Sequence, residues 1–133
     1  MDTVLIIDDD EATREMLRAL LTRSGFKVYL ASSGDEGIRL YRSERVGVAL
    51  VDIVMPDKDG LETIMDIRRG TPDARIIAMT GQTSIGRTNP LAWASRLGAK
   101  KCLQKPFSSK ELLSSLSQVL ESQPPSQAQV SGA

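Results

Sequence analysis

The chain of 133 residues contains no histidine and a single cysteine, Cys102. Without imidazole it cannot use histidine as a general acid or base, build a triad that depends on histidine, or ligate a metal through histidine. One cysteine excludes an internal disulfide and a cysteine-cluster zinc site, and it is consistent with a reducing compartment. The chemistry must therefore come from carboxylates, hydroxyls, lysines and the backbone.

Net charge and long apolar runs are also missing. Lys plus Arg equals Asp plus Glu at 17 each, so no overall attraction to nucleic acid or to an anionic membrane is expected. No apolar stretch approaches the ~20 residues of a membrane span, and no basic region precedes the first apolar run. The length suits one domain. We therefore expect a soluble, cytoplasmic domain without direct contact to nucleic acid or membrane.

The sequence does contain a regular alternation of strand and helix patterns. Short apolar runs bounded by turn residues predict buried strands at 4–7, 27–31, 48–51, 75–79 and 100–103. Helical spacing predicts helices at 11–24, 33–43, 60–70 and 90–97, and a last one that begins after Ser108. Such an alternation indicates right-handed βαβ units and an α/β fold with a parallel sheet covered on both faces.

Local patterns refine this prediction. Ser33 followed by Glu36 fits a capping box. Met16, Leu17, Leu20 and Leu21 form an apolar stripe that we expect to face the core. Trp93, in the short fourth helix, is compatible with either a core position or an exposed partner anchor. Two segments lack periodicity: the stretch GQTSIGRT after the fourth strand predicts a mobile loop, and SQPPSQAQVSGA at the end predicts disorder.

Polar side chains stand where the strands end. Asp8 and Asp9 follow the first strand, Asp52 ends the third, Thr80 ends the fourth and Lys105 follows the fifth. In a parallel sheet these ends share one edge, where ligand sites form. Three clustered carboxylates must take up protons or bind a cation, and hard oxygen ligands suit Mg²⁺ together with phosphate oxygens. A carboxylate can also act as a nucleophile towards phosphorus, so phosphoryl chemistry is plausible here.

Four segments make the prediction of phosphoryl chemistry more specific. In chain order, VLIIDDDEATREML, VDIVMPDKDGLE, IIAMTG and CLQKPF resemble the signatures of the response regulator receiver domain, the phosphoacceptor half of two-component signalling. The resemblance covers residues 2 to about 121. It implies a flavodoxin-like, doubly wound five-stranded parallel sheet of order 2-1-3-4-5 with five helices. It also divides the chain into a receiver domain, 1–121, and a disordered tail or truncated linker, 122–133.

The same resemblance implies roles for individual residues. Asp52 would accept a phosphoryl group from the phosphohistidine of a histidine kinase or phosphotransfer protein. Asp9, Asp52 and the backbone carbonyl of Val54 would bind Mg²⁺, and Asp8 would act through a water molecule or from behind these ligands.

Three further residues match the pattern on the other strands. Thr80 corresponds to the switch hydroxyl that moves towards the phosphoryl group, and Lys105 to the lysine that pairs with it. Pro106 corresponds to a proline that usually follows a cis peptide bond. Phosphorylation would then alter the surface formed by helix four, strand five and helix five, and with it contact with a downstream protein target that the sequence does not identify. Whether the chain pairs as a homodimer, and whether it acts alone, also stays open.

The sequence departs from the family at two positions. Cys102 stands where the family commonly has Tyr or Phe, which puts an aromatic rotamer switch in doubt, and the span from Thr80 to Lys105 is a few residues longer than usual.

Two other functions are compatible with the sequence. One is a Mg²⁺-dependent phosphohydrolase of small molecules, although the chain offers neither histidine nor an inserted cap domain. The other is a receiver scaffold that is not phosphorylated. For single residues a structural role is the alternative: Asp10, Asp57 and Asp59 are predicted to be turn or helix-cap residues.

Overall fold

The structure, a computed structural model, describes residues 2–55, 59–81 and 89–121. Strands and helices alternate through these residues as predicted. The strands are β1 (Thr3–Ile7), β2 (Lys27–Ala31), β3 (Val48–Asp52), β4 (Ile76–Thr80) and β5 (Lys101–Gln104). The helices are α1 (Glu11–Arg23), α2 (Gly34–Ser43), α3 (Gly60–Gly70), α4 (Pro90–Arg96) and α5 (Ser109–Glu121). Each element lies within about one residue of its predicted bounds, except α5, whose end was not predicted.

All strand pairs are parallel, and the sheet order is β2-β1-β3-β4-β5. The predicted doubly wound order 2-1-3-4-5 is therefore confirmed. Side chains alternate along each strand between two separate cores. In β1, for example, Leu5 and Ile7 face the core formed with α2, α3 and α4, whereas Val4 and Ile6 face the core formed with α1 and α5. Helices cover both faces, which is why β1, β3 and β4 are apolar almost throughout.

Helix ends are fixed by side-chain caps. Asp10 accepts a hydrogen bond from the Thr13 amide at the start of α1, and Asp59 accepts one from the Glu62 amide at the start of α3. The predicted cap roles of Asp10 and Asp59 are thus confirmed. Asp57 lies outside the described residues, as do residues 82–88 of the predicted loop and the tail 122–133.

Two sequence predictions need correction. Met16 does not belong to the buried stripe of α1: its side chain is 61% exposed, whereas Leu17 and Leu21 are buried. The capping box of α2 is only half formed, because Ser33 accepts from the Glu36 amide but the Glu36 carboxylate accepts from the amide of Ser32.

The sequence left the position of Trp93 open. Trp93 is 46% exposed on α4, with the Arg96 guanidinium 5.6 Å from its ring centroid. Among the described residues, no helix is both long enough and apolar enough to span a membrane.

Candidate functional site

The polar residues predicted to meet at the carboxyl edge of the sheet do meet there. Lys105 Nζ lies 2.9 Å from Oδ2 of Asp8 and 3.4 Å from Oδ2 of Asp52. These contacts join residues 97 and 53 positions apart in the sequence. Only the parallel arrangement of β1, β3 and β5 brings them together. One ammonium therefore bridges two carboxylates.

Asp8, Asp9 and Asp52 form an acidic cluster. Each offers a carboxylate oxygen, and these oxygens lie within 4.8 Å of one another. Asp8 and Asp52 are buried, whereas Asp9 is exposed at the rim. Oxygens that share a Mg²⁺ ion at about 2.1 Å stand about 3 to 4 Å apart, so small side-chain movements would let carboxylates of this cluster share one ion. The number and type of donors fit a hard divalent cation.

Val54 leaves β3 two residues after Asp52 and contributes its backbone. Its amide donates a hydrogen bond to Asp52 Oδ1 at 3.3 Å, which orients the carboxylate from one side while Lys105 holds the other oxygen. The role of its carbonyl as a metal ligand stays a prediction.

Asp8 is held at every polar atom. Its amide donates to the Ala31 carbonyl at 3.1 Å, and its Oδ1 accepts from the Asp10 amide at 2.9 Å. Its Oδ2 accepts from Lys105, and its carbonyl oxygen accepts from Nη1 of Arg14 at 2.7 Å. Arg14 could not be singled out from the sequence, because a single arginine in the first turns of a helix looks like an ordinary surface residue.

Burial and charge act on the Asp52 carboxyl in opposite directions. Burial raises its pKa most strongly, and the neighbouring Asp8 charge raises it further. The Lys105 ammonium and the Val54 amide lower it, and the balance raises the pKa of Asp52 to about 6. Asp52 is therefore largely ionised at neutral pH, but its negative charge is poorly compensated.

Lys105 responds to the same surroundings. Burial works to lower its pKa, but the hydrogen bond to Asp8 and the charges of Asp52 and Asp8 outweigh burial and raise it. The ammonium thus stays charged throughout the neutral range. One ammonium is shared by two buried carboxylates, so the positive charge of Lys105 is fully compensated whereas the negative charge of Asp52 is not. The pKa of Lys105 and the pKa of Asp52 are therefore both raised.

Thr80 lies buried at the end of β4, which is flanked by β3 and β5. The Lys105 amide donates to the Thr80 carbonyl at 2.8 Å, and the Ile53 amide donates to the Met79 carbonyl at 2.9 Å. These bonds continue the sheet past Asp52 and fix Thr80 between it and Lys105. The peptide bond between Lys105 and Pro106 is cis, as the resemblance implied.

Cys102 is half-buried on β5 beside Ala78 of β4. Burial raises the pKa of its thiol, which disfavours the reactive thiolate.

Gly60 packs against the backbone that carries Asp52. Its amide donates to the Ile53 carbonyl at 2.8 Å. A Cβ at residue 60 would lie 2.5 Å from Cα of Ile53 and closer still to the backbone oxygen of Asp52. Such contacts cannot be relieved by side-chain rotation, because both partners are backbone. The first turn of α3 therefore rests directly on the backbone that carries Asp52.

We expect Gly60→Ala to lower the free energy of unfolding by about 2 to 3 kcal/mol, because the loop between β3 and α3 must shift. Urea unfolding measures the change. The matched control is Gly70→Ala at the end of α3, where a Cβ meets nothing within 4 Å. Equal unfolding midpoints for the two variants would contradict the close approach of Gly60 to Asp52.

Fold and site together define a class of protein: a doubly wound α/β domain with an acidic site and a bridging lysine at the carboxyl edge of its sheet. The sequence model of the response regulator receiver domain matches residues 4–117. The chain belongs to this family, a receiver domain of two-component signalling.

Curated relatives agree with this assignment. The response regulator MprA of Mycolicibacterium vanbaalenii is 35% identical over 117 residues, which is 88% of this chain and 49% of that protein. MprA of Mycobacterium tuberculosis strain H37Rv is 34% identical over 125 residues, 94% of this chain and 53% of that protein. The chain thus spans about half the length of the curated relatives it matches.

Solved structures show the same fold. A CheY-like response regulator receiver domain protein from Methanospirillum hungatei is 27% identical with a TM-score of 0.84, and the match covers 91% of this chain and 94% of that one. The response regulator TrrA of Thermotoga maritima, solved with Mg²⁺ and BeF, is 31% identical with a TM-score of 0.78, and the match covers 90% of this chain and all of that one.

Proposed function

We propose that this receiver domain is a phosphorylation switch in which Asp52 accepts a phosphoryl group in a Mg²⁺-dependent reaction. The observation that carries the proposal is the geometry of the site. A buried carboxylate, Asp52, lies next to two more carboxylates, Asp8 and Asp9, and within 3.4 Å of a charged Lys105. A single edge of the sheet thus holds a nucleophile, cation ligands and a partner for phosphoryl oxygens.

The transfer makes one bond and breaks one. A carboxylate oxygen of Asp52 bonds to phosphorus while the bond from phosphorus to the imidazole nitrogen of a phosphohistidine breaks. The electron pair stays on that nitrogen, which takes up a proton. Because the pKa of Asp52 is about 6, the carboxylate needs no general base near neutral pH.

Asp9, Asp52 and the Val54 carbonyl would hold Mg²⁺, with Asp8 behind them. Bound Mg²⁺ would neutralise negative charge on the phosphoryl oxygens during transfer. Asp8 is less available as a direct ligand, because both of its carboxylate oxygens already accept hydrogen bonds. This agrees with a role through water or behind the ligands.

Lys105 and Thr80 would receive the transferred group. Phosphorylation adds close to two negative charges at Asp52, and the Lys105 ammonium is near enough to pair with a phosphoryl oxygen after a small movement. The Thr80 hydroxyl would donate a second hydrogen bond. Since Thr80 pairs with Gln104 of β5 and its carbonyl accepts from Lys105, a shift at Thr80 displaces β5 as well.

The output face consists of α4, β5 and α5, and it would carry the signal to a downstream protein target. Trp93 is exposed on α4, where an aromatic side chain can anchor a partner. No aromatic ring stands at Cys102, so the face would respond through β5 and α4 themselves. A homodimer through the same face is a further hypothesis.

Relatives supply independent support. TrrA, 31% identical, was solved in complex with Mg²⁺ and BeF. A response regulator from Burkholderia pseudomallei, 30% identical, was solved with a phosphorylated aspartic acid and a calcium ion; the match covers all of this chain and 74% of that one. The proposed partner upstream is a histidine kinase or a phosphotransfer protein in the cytoplasm. Residues 1–121 as the receiver domain and 122–133 as its tail or linker stay predictions.

The proposal is tested by incubating the protein with acetyl phosphate and Mg²⁺ and measuring intact masses. We expect one added phosphoryl group in the wild type, and none in Asp52→Asn or when EDTA removes the metal. Asp73→Asn, an exposed carboxylate in the turn before β4, is the matched control and should be labelled like the wild type.

Other outcomes would favour the alternatives. A label that persists in Asp52→Asn would place the acceptor elsewhere. Failure to gain a phosphoryl group together with failure to bind beryllium fluoride would favour the unphosphorylated scaffold. Multiple turnover of a phosphate ester would favour the phosphohydrolase.

A further inference from the structure

A guanidinium group lies behind the acidic cluster. Arg14 is half-buried on the first turns of α1, and its Nη1 donates to the backbone carbonyl of Asp8 at 2.7 Å. The bond spans six residues and crosses the junction where β1 ends and α1 begins. Neither the sequence signatures nor the proposed chemistry gives Arg14 a role.

The position of this bond is what makes it informative. The other three polar groups of Asp8 are tied to Ala31, to the Asp10 amide and to Lys105. Arg14 supplies the fourth contact, and it is the one that holds the backbone oxygen rather than the side chain. The peptide unit whose oxygen it fixes joins Asp8 to Asp9, so Arg14 determines the direction in which the exposed Asp9 leaves the strand.

Charge and geometry predict opposite effects for this residue. A guanidinium that contacts the Asp8 backbone repels a divalent cation bound at the acidic cluster, so on charge alone its removal would strengthen cation binding. If Arg14 instead holds the junction in the binding geometry, its removal would weaken cation binding, since groups that orient metal ligands typically contribute 10- to 100-fold in affinity. The sign of the change separates the two roles.

We infer that Arg14 is a positioning residue that holds the peptide between Asp8 and Asp9 so that both carboxylates face Asp52 and the bound cation. This inference rests on the proposed function, because it assumes that the cluster binds Mg²⁺. Arg14 itself touches neither the cation nor the phosphoryl group. It acts through the backbone of Asp8.

The test is a Mg²⁺ titration of the unphosphorylated protein followed by amide NMR. Wild type is compared with Arg14→Met, which removes charge and donors, and with Arg14→Lys, which keeps the charge but loses the forked donor. Arg18→Met is the matched control: it removes the same charge from the same helix, where Arg18 forms an exposed ion pair with Glu15. Urea unfolding of each variant confirms that it is folded under the titration conditions.

We expect Arg14→Met to bind Mg²⁺ about tenfold more weakly than the wild type. Arg14→Lys should lie between them, and Arg18→Met should bind as tightly as the wild type or slightly more tightly. The Asp10 amide signal, which reports the bond to Asp8 Oδ1, should move in Arg14→Met before any metal is added.

Mg²⁺ binding by Arg14→Met that equals or exceeds that of the wild type would overturn the inference and leave the proposed metal site intact. If Arg14→Met does not fold, Arg14→Lys decides alone: weaker binding supports the role, and unchanged binding overturns it. If the wild type itself shows no saturable shifts at Asp9 and Asp52, the metal site fails, and the role of Arg14 fails with it.

Discussion

We expect Asp52→Asn to raise the free energy of unfolding of the metal-free protein near neutral pH by about 1 to 2 kcal/mol. The proposed nucleophile is thus also a destabilising residue. Its carboxylate is buried, lies next to Asp8, and shares one ammonium with it. Asparagine has nearly the same shape and carries no charge, so the substitution removes the repulsion and most of the cost of burial.

The pH dependence gives this prediction a sharper signature. The pKa of Asp52 rises from 3.8 to about 6 on folding, so between these values the folded protein binds more protons than the unfolded chain. The contribution of Asp52 to stability is therefore most favourable below about pH 4, decreases as the pH rises to about 6, and is constant above that. The full shift corresponds to about 3 kcal/mol; solvent screening and the acceptor that asparagine partly loses reduce the expected gain.

The measurement is urea unfolding in EDTA across this pH range. Wild type should lose stability from about pH 4 to 6 relative to Asp52→Asn, and the two should converge at the acidic end. Asp73→Asn serves as the control and should follow the wild type. A constant difference at all pH values would show that the gain does not arise from the Asp52 charge.

Much of the fold could be predicted from the sequence because its signals are local. Apolar runs such as 48–51, turn residues and cap residues such as Asp59 locate every element except the end of α5 within about one residue. The sheet order depends on long-range packing and came only from the resemblance. Met16 shows the limit of periodicity: it follows the apolar spacing of α1, yet it is exposed, because spacing does not say how wide a stripe the sheet can cover.

The residues of the site could be predicted from the sequence, whereas their distances and charge interactions could not. A parallel sheet places all strand ends on one edge, so Asp8, Asp52 and Lys105 could be grouped without coordinates. Their distances, and the sharing of one ammonium between two carboxylates, could not. Arg14 could not be predicted either, because its partner is a backbone oxygen. Every residue has a backbone oxygen, so the residue types in the sequence do not reveal such a contact.

We expect Lys105→Met to have the opposite effect to Asp52→Asn and to lower the free energy of unfolding in EDTA by about 2 to 4 kcal/mol. Lys105 is the partner that Asp8 and Asp52 share in the described part of the chain, and Asp8 is fully buried. Without the ammonium, Asp8 Oδ2 loses its donor and two carboxylates face each other uncompensated. Breaking a buried pair by removing one partner is costly for this reason.

The wild-type contribution of Lys105 is constant through the neutral range. Its pKa is raised in the folded protein, so its stabilisation is complete below its unfolded value of about 10.5 and disappears only as the pH rises through the folded value. The effect of Lys105→Met near neutral pH therefore reports the ion pair itself. Acid should reduce the destabilisation of Lys105→Met. Without the Lys105 charge the pKa of Asp52 is raised further, and protonation of Asp52 removes its repulsion with Asp8.

Mg²⁺ should restore much of the lost stability, because a cation bound by the acidic cluster replaces the missing ammonium. The stabilisation by Mg²⁺ should thus be larger in Lys105→Met than in the wild type, and phosphoryl transfer to Asp52 should still be weaker. Lys101→Met, exposed on the same strand, is the control and should change stability by less than about 0.5 kcal/mol. If Lys105→Met in EDTA unfolds at the wild-type urea concentration, the carboxylates do not depend on Lys105. Water, and not Lys105, would then stabilise the negative charges of the two carboxylates. The buried ion pair would have no role in the proposed mechanism.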